Sequence, residues 1–313
     1  MNNRMKIAAF FKLVRYPNLI FIALTQVMFQ YCIYLPVYRG LVPEGDLFQF
    51  LLLMLASVFI AAGGNIINDY FDMNIDRINK PQKMIIGKYI NRRWALVWHL
   101  VLSVLGILLT AIAVNPFSRW YLVVANIACV LLLWFYSVKF KKEILIGNIV
   151  ISLLTAWTIM IIFLSKFSFS DAFGGGHTGQ LKLFRFAVLY AGFAFIISLV
   201  REAIKDVEDI AGDQKYGCNT MPIAWGVNAT KVYVAVWLTL LIALLLVVQF
   251  YILQLGWWPG VVYCVLLIIV PAAYLLRKLV AANTPGEYHY LSMVTKGLML
   301  TGILSMGIFY FYL

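Results

Sequence analysis

Asn65-Ile-Ile-Asn68-Asp69-Tyr-Phe-Asp72-Met-Asn-Ile-Asp76-Arg77-Ile-Asn-Lys80-Pro81 follows directly on an apolar run long enough to cross a membrane. Asn68, Asp72 and Asp76 are four apart, so on a helix they stack on one face, and Asp69 borders that face. Carboxylates stacked this way repel one another unless positive charge lies between them. Protein cations could supply it, but oxygen-only ligands at this density suit Mg²⁺, which also keeps phosphate oxygens in its shell. A second stretch answers the first: Arg201-Glu202-Ala-Ile-Lys205-Asp206-Val-Glu208-Asp209-Ile-Ala-Gly212-Asp213. Asp209 and Asp213 repeat the four-residue step, and Asp206 lies three before Asp209. Of 13 acidic residues in the chain, eight fall in these two stretches, which scattered solvation of loops would not produce.

The surroundings fix the class. The chain has 313 residues, 63% hydrophobic and 12% charged, with a mean hydropathy of +0.89. Soluble domains carry about 25% charged residues, so this is an integral membrane protein. The net charge of +12 then reports orientation, not nucleic-acid binding. Cys32, Cys129, Cys218 and Cys264 form no Cys-x-x-Cys pair, and His99, His177 and His289 are dispersed. Neither a disulfide framework nor a zinc or haem site is expected. Gly174–Gly179 lacks the Gly-Lys-Ser/Thr ending of a phosphate loop and reads as a flexible connection. No cleavable signal is evident, because the apolar run after Pro17 has the length of a true span.

Apolar runs near 20 residues long predict nine membrane helices, at about 18–38, 47–67, 94–114, 119–138, 144–164, 184–204, 229–253, 258–280 and 290–312. The basic residues test that division. With the N-terminus in the cytoplasm, the inner segments hold nineteen Lys and Arg, the outer ones five, and Lys296 lies within the last span. That asymmetry is the positive-inside bias. The expected molecule is therefore an all-α, multi-pass protein of the inner (cytoplasmic) membrane, with one membrane-embedded domain over residues 1–313. Both acidic stretches fall on the cytoplasmic side, after helices 2 and 6. The offset of four helices suggests two four-helix units with a ninth helix added.

Facing acidic helices at a membrane mouth can hold Mg²⁺ and grip a diphosphate over an apolar cavity that takes a hydrocarbon tail. A cation-coupled transporter also buries carboxylates, but usually nearer mid-membrane than these helix ends. The first stretch resembles the Asn-Asp-x-x-Asp-x-x-x-Asp motif of the UbiA superfamily of intramembrane prenyltransferases, at Asn68, Asp69, Asp72 and Asp76. The second resembles that family's Asp-x-x-x-Asp, at Asp209 and Asp213. Arg15-Tyr-Pro17-Asn18 is similar to its basic-proline entry, and Tyr136-Ser137-Val-Lys139, with Lys142 and Gly147-Asn148, to its Tyr/Lys block after helix 4.

The resemblance implies Mg²⁺, a polyprenyl diphosphate donor and prenyl transfer to a lipophilic acceptor with release of diphosphate. It implies metal ligation by Asp72, Asp76, Asp209 and Asp213, with Asp69 and Asn68 supporting that shell. Arg15, Arg77, Tyr136, Lys205 and either Lys139 or Lys142 are then the expected substrate contacts, and Asp206 is a ligand or the acceptor base. Arg201 and Lys205 could equally just neutralise neighbouring acids. Arg201-Glu-x-x-Lys205-Asp206-x-x-Asp209-x-x-Gly212-Asp213 with Thr220-Met-Pro222-Ile223 resembles the branch that prenylates geranylgeranylglyceryl phosphate in ether-lipid synthesis. Asn79-Lys80-Pro81-Gln82-Lys83-Met84 lacks the Arg-Pro-x-Arg-Pro run common elsewhere in the family. Prenylation of an aromatic quinone precursor, dihydroxynaphthoate or hydroxybenzoate, is the alternative.

Overall fold

The computed structural model describes residues 3–79, 81–114, 119–167 and 178–313; Lys80 and His177 lie outside them. Among the described residues there is no β-strand, only an isolated bridge between Ile86 and Ile90. Nine helices among the described residues are long and apolar enough to cross a membrane. After a short α1 (Asn3–Leu13) these are α2 (Tyr16–Val37), α3 (Asp46–Asn79), α4 (Arg92–Ala113), α5 (Trp120–Val138) and α6 (Ile146–Ser165). They continue with α7 (Thr178–Glu208) and, after the short α8 (Ile210–Lys215) and α9 (Met221–Ala224), with α10 (Val227–Gln254), α11 (Trp258–Ala281) and α12 (Pro285–Phe309).

Two helices outrun the sequence expectation. The second span, read from the sequence as ending near 67, continues as helix to Asn79, giving α3 34 residues. At 1.5 Å per residue that is roughly 50 Å, against a hydrocarbon core of about 30 Å. Its last turns therefore stand clear of the apolar layer, and these turns carry the first acidic stretch. The 31 residues of α7 project in the same way with the second stretch. Hydropathy detects where apolar residues stop, whereas the helix continues because its backbone hydrogen bonds do not depend on that boundary.

Six helices form a ring. Around it α2 packs on α3, α3 on α5, α5 on α6, α6 on α7, α7 on α12, and α12 returns to α2. In that order α3 and α7 stand opposite each other, as do α5 and α12. Outside the ring α4 backs α3, while α10 and α11 back α7 and α12 around a core that includes Ile197, Val200, Leu238, Leu275 and Leu291. A cross-tie closes the ring's far side, where buried Gln26 donates to Ser57 Oγ and to the Thr158 carbonyl, both at 2.9 Å. Farther from the acids, buried Asp46 accepts from Gln30 at 2.6 Å and Lys166 at 2.8 Å, which joins α2, α3 and the end of α6. Paired in this way, the two charges are tolerable away from water.

Candidate active site

The ring encloses a cavity of about 890 Å³ that opens between the acidic ends of α3 and α7. Asn68, Asp69, Asp72 and Asp76 line it from α3, and Asp206, Asp209 and Asp213 from the opposite wall. Its walls also carry Leu133, Ile151, Phe193, Ile197, Ile303 and Met306, interleaved with uncharged polar side chains such as Thr25, Ser57, Asn126, Thr155 and Ser198.

Local geometry explains how each charged group arrives there. Arg15 sits between α1 and α2 at φ 54°, ψ 53°, the left-handed region that a non-glycine residue seldom occupies. Asn65 Nδ2 fixes the turn by donating to the Val14 carbonyl at 2.9 Å. The turn brings the Arg15 guanidinium to 2.5 Å from Asp69, whose charge raises the Arg15 pKa further above its ordinary value. On the next wall α5 ends at Val138 and a 3₁₀ turn, Phe140–Lys142, leads into α6. A Cβ on Gly147 would lie 2.9 Å from the Lys141 backbone, so the close approach of α6 to that turn needs glycine. The turn aims Lys141 Nζ at Asp72, 2.5 Å away, and at Asn68 Oδ1, 3.3 Å away. Burial pulls the Lys141 ammonium below the usual lysine range, and Asp72 pulls it back up.

On α7, Glu202 is 7% exposed and accepts from Arg201 at 2.7 Å and Lys205 at 3.0 Å. Lys205 lines the cavity but its ammonium is engaged by Glu202. Asp206 accepts from Asn148 Nδ2 at 2.8 Å. Tyr136 stands among Glu202, Asp72, Asp206 and Arg15, close enough to act on each electrostatically.

The second acidic stretch is not one continuous helix. The helix breaks at Asp209, at φ −97°, ψ 6°, and α8 starts after it. Asn79, the last residue of α3, spans the break: its Nδ2 donates to the Asp209 carbonyl at 2.9 Å, and its Oδ1 accepts from Gly212 N at 2.8 Å. A Cβ on Gly212 would fall 2.5 Å from the Asn79 side chain, so Gly212 admits this link. The two acidic stretches are thus joined by a side chain of the first. Asn79→Ala leaves the Gly212 amide without its acceptor and the Asp209 carbonyl with the longer bond, 3.3 Å, from Asp213 N, a cost of about 1–3 kcal/mol. We expect a lower thermal midpoint and roughly 10-fold slower diphosphate release, since 1.36 kcal/mol is a factor of ten; both are measurable on the purified variant.

Three residues expected from the sequence to touch substrate do not line the cavity. Arg77 is exposed on the outer side of α3, Lys139 is exposed at the end of α5, and Lys142 serves through its carbonyl, which accepts from Asn219 N at 2.7 Å. The residue of that cluster on the cavity wall is Lys141. Glu202, Asn79 and Lys296 also line the cavity without having been singled out as site residues. For Lys296 the signal was a lone charge inside an apolar span.

Among the described residues no three carboxylate, His or Cys side chains converge into a ready-made metal cage. The donor set nevertheless fits Mg²⁺, which takes one or two carboxylates and completes its octahedron with water and substrate phosphate. Carboxylate oxygens from two opposite walls of one cavity provide that arrangement.

The model of the UbiA prenyltransferase family matches residues 37–293. The digeranylgeranylglyceryl phosphate synthase of Thermococcus sibiricus is 33% identical over 238 residues, covering 76% of this chain and 77% of that one. The enzyme of the same name from Methanosphaera stadtmanae is 32% identical over 251 residues, covering 79% and 83%. Among solved structures, a digeranylgeranylglyceryl phosphate synthase superposes with a TM-score of 0.60 at 24% identity over 97% of this chain and 99% of that one. A UbiA homologue from Archaeoglobus fulgidus bound to DMAPP and Mg²⁺ gives 0.58 at 16% identity over 95% and 98%. At those identities the structural likeness speaks for the fold.

Proposed function

Because this chain belongs to the UbiA prenyltransferase family, and is thereby a multi-pass membrane prenyltransferase, we propose that it transfers a geranylgeranyl group from its diphosphate to geranylgeranylglyceryl phosphate in ether-lipid synthesis. The observation that carries the reading is one shared cavity: acids on two facing walls, Arg15 and Lys141 between them, and an uncharged interior rich in apolar side chains. Relatives named digeranylgeranylglyceryl phosphate synthase support the acceptor.

In this reading Asp72, Asp76, Asp209 and Asp213 would hold Mg²⁺, with Asp69 and Asn68 in support, and bound metal would supply positive charge to the departing diphosphate. Lys141 and Arg15 contact diphosphate oxygens as charged donors. The bond between the prenyl C1 and the diphosphate oxygen breaks, and diphosphate leaves with the electron pair. The acceptor hydroxyl forms the new C–O bond, and its proton passes to Asp206, which Asn148 holds in place. The apolar walls exclude water from the allylic cation. The whole chain acts as one prenyltransferase domain in the cytoplasmic membrane. The excess of Lys and Arg on its flanks supports a mouth that faces the cytoplasm.

The test offers the detergent-purified protein geranylgeranyl diphosphate and Mg²⁺ with, in parallel, geranylgeranylglyceryl phosphate and dihydroxynaphthoate or hydroxybenzoate. Lipid product with the glycerophosphate alone is the expected outcome. Product with an aromatic acid alone would move the protein to quinone synthesis.

A further inference from the structure

Lys296 lies in the middle of α12, within a membrane-spanning segment, and lines the cavity. Its ammonium meets only neutral groups among the described residues, Asn18 Oδ1 at 3.1 Å and the face of Phe21 at 5.3 Å. Of the other basic residues lining the cavity, Arg15 has Asp69, Lys141 has Asp72, and Arg201 and Lys205 share Glu202, while Lys12 is exposed at the end of α1, outside the spans. A cation in a low-dielectric segment without an anion is costly. That cost is offset if the cavity's ligand brings the anion.

Two observations set this cation apart from Lys141. In the ring of six helices α12 stands opposite α5, whose following turn supplies Lys141, so the two lysines face the cavity from opposite sides. Arg201 and Lys205, on neighbouring α7, lie close enough to act on Lys296 as like charges. Arg201 itself has a buried Nε that makes no hydrogen bond. The region thus sets three cations, Lys296, Arg201 and Lys205, against the one carboxylate of Glu202, while the aspartates line the facing ends of α3 and α7. A second, metal-independent phosphate would be repelled by the carboxylates and attracted here.

We propose that Lys296, assisted by Arg201, is the specificity-determining seat for the acceptor's phosphomonoester, on the side of the cavity away from Lys141. This rests on the glycerophosphate reading above. An aromatic acceptor needs no such seat.

Steady-state kinetics in detergent test it with wild type, Lys296→Met and Lys296→Arg. Each is given geranylgeranyl diphosphate with geranylgeranylglyceryl phosphate or with its dephosphorylated counterpart, geranylgeranylglycerol. We expect Lys296→Met to raise KM for the phosphorylated acceptor at least ~10-fold, leaving the donor KM within about twofold, with Lys296→Arg restoring most of the loss. With geranylgeranylglycerol, wild type and Lys296→Met should perform alike. An unchanged acceptor KM, or an equal rise in the donor KM, would overturn the assignment while leaving the acceptor reading intact. A wild-type protein that does not turn over the glycerophosphate would overturn both.

Discussion

Asp72→Asn lowers the rate of prenyl transfer by on the order of 10³-fold, the largest single effect expected in this protein. Asp72 lines the cavity from α3 and is the partner of Lys141 at 2.5 Å. Neutralising it removes a ligand of the proposed Mg²⁺ site and leaves a half-buried ammonium without its anion. Electrostatic groups aimed at developing charge are worth about 10²–10³-fold each, and a factor of 10³ corresponds to about 4 kcal/mol. Diphosphate release measured across a Mg²⁺ titration checks this. The variant should need more Mg²⁺ for its residual half-maximal rate, and chelation should abolish turnover in the wild type. Asp209→Asn tests the opposite wall, and a smaller loss is expected because Asn79 holds the Asp209 backbone whichever side chain is present. An Asp72→Asn protein that keeps its thermal midpoint and a rate within threefold of wild type would sink the catalytic reading.

Lys141→Met is the second large effect, roughly 10²-fold in kcat/KM for the donor, from loss of one charge-assisted contact to diphosphate in a partly dry site. The comparison with its neighbours gives this prediction its force. Lys139→Met should cost less than about threefold, because that side chain is exposed and off the cavity wall. Lys142 contributes its carbonyl to Asn219, which substitution of the side chain preserves. Equal losses at all three positions would mean that only the summed positive charge of the turn matters.

The second of these predictions could not have been written from the sequence. Lys139, Lys141 and Lys142 are equivalent there, and the choice fell on Lys139 or Lys142. Which one reaches the acids depends on a 3₁₀ turn that points successive side chains about 120° apart, and on the contact of Gly147 with the Lys141 backbone. Arg77 failed for a related reason. It adjoins Asp76 in sequence, yet one residue along a helix is a rotation of about 100°, which turns Arg77 to the outer side of α3. The break at Asp209 was hidden as well, since the agent that stabilises it, Asn79, lies 130 residues away.

What the sequence determined by itself follows from local periodicity and hydropathy. These properties predict nine membrane helices, the number long and apolar enough among the described residues, the placing of both acidic stretches at helix ends, and the stacking of Asn68, Asp72 and Asp76 on one face. Each needs only the chain's own geometry and the length of an apolar run. The tertiary structure decided which helices face one another, which lysine of a cluster enters the cavity, how far α3 and α7 project, and that Lys296 shares the cavity with Arg201. Those outcomes depend on the rotation of each helix about its axis and on contacts between distant residues. Neither is encoded in spacing along the chain, because a span that is apolar all round can turn any face inward until its neighbours fix it.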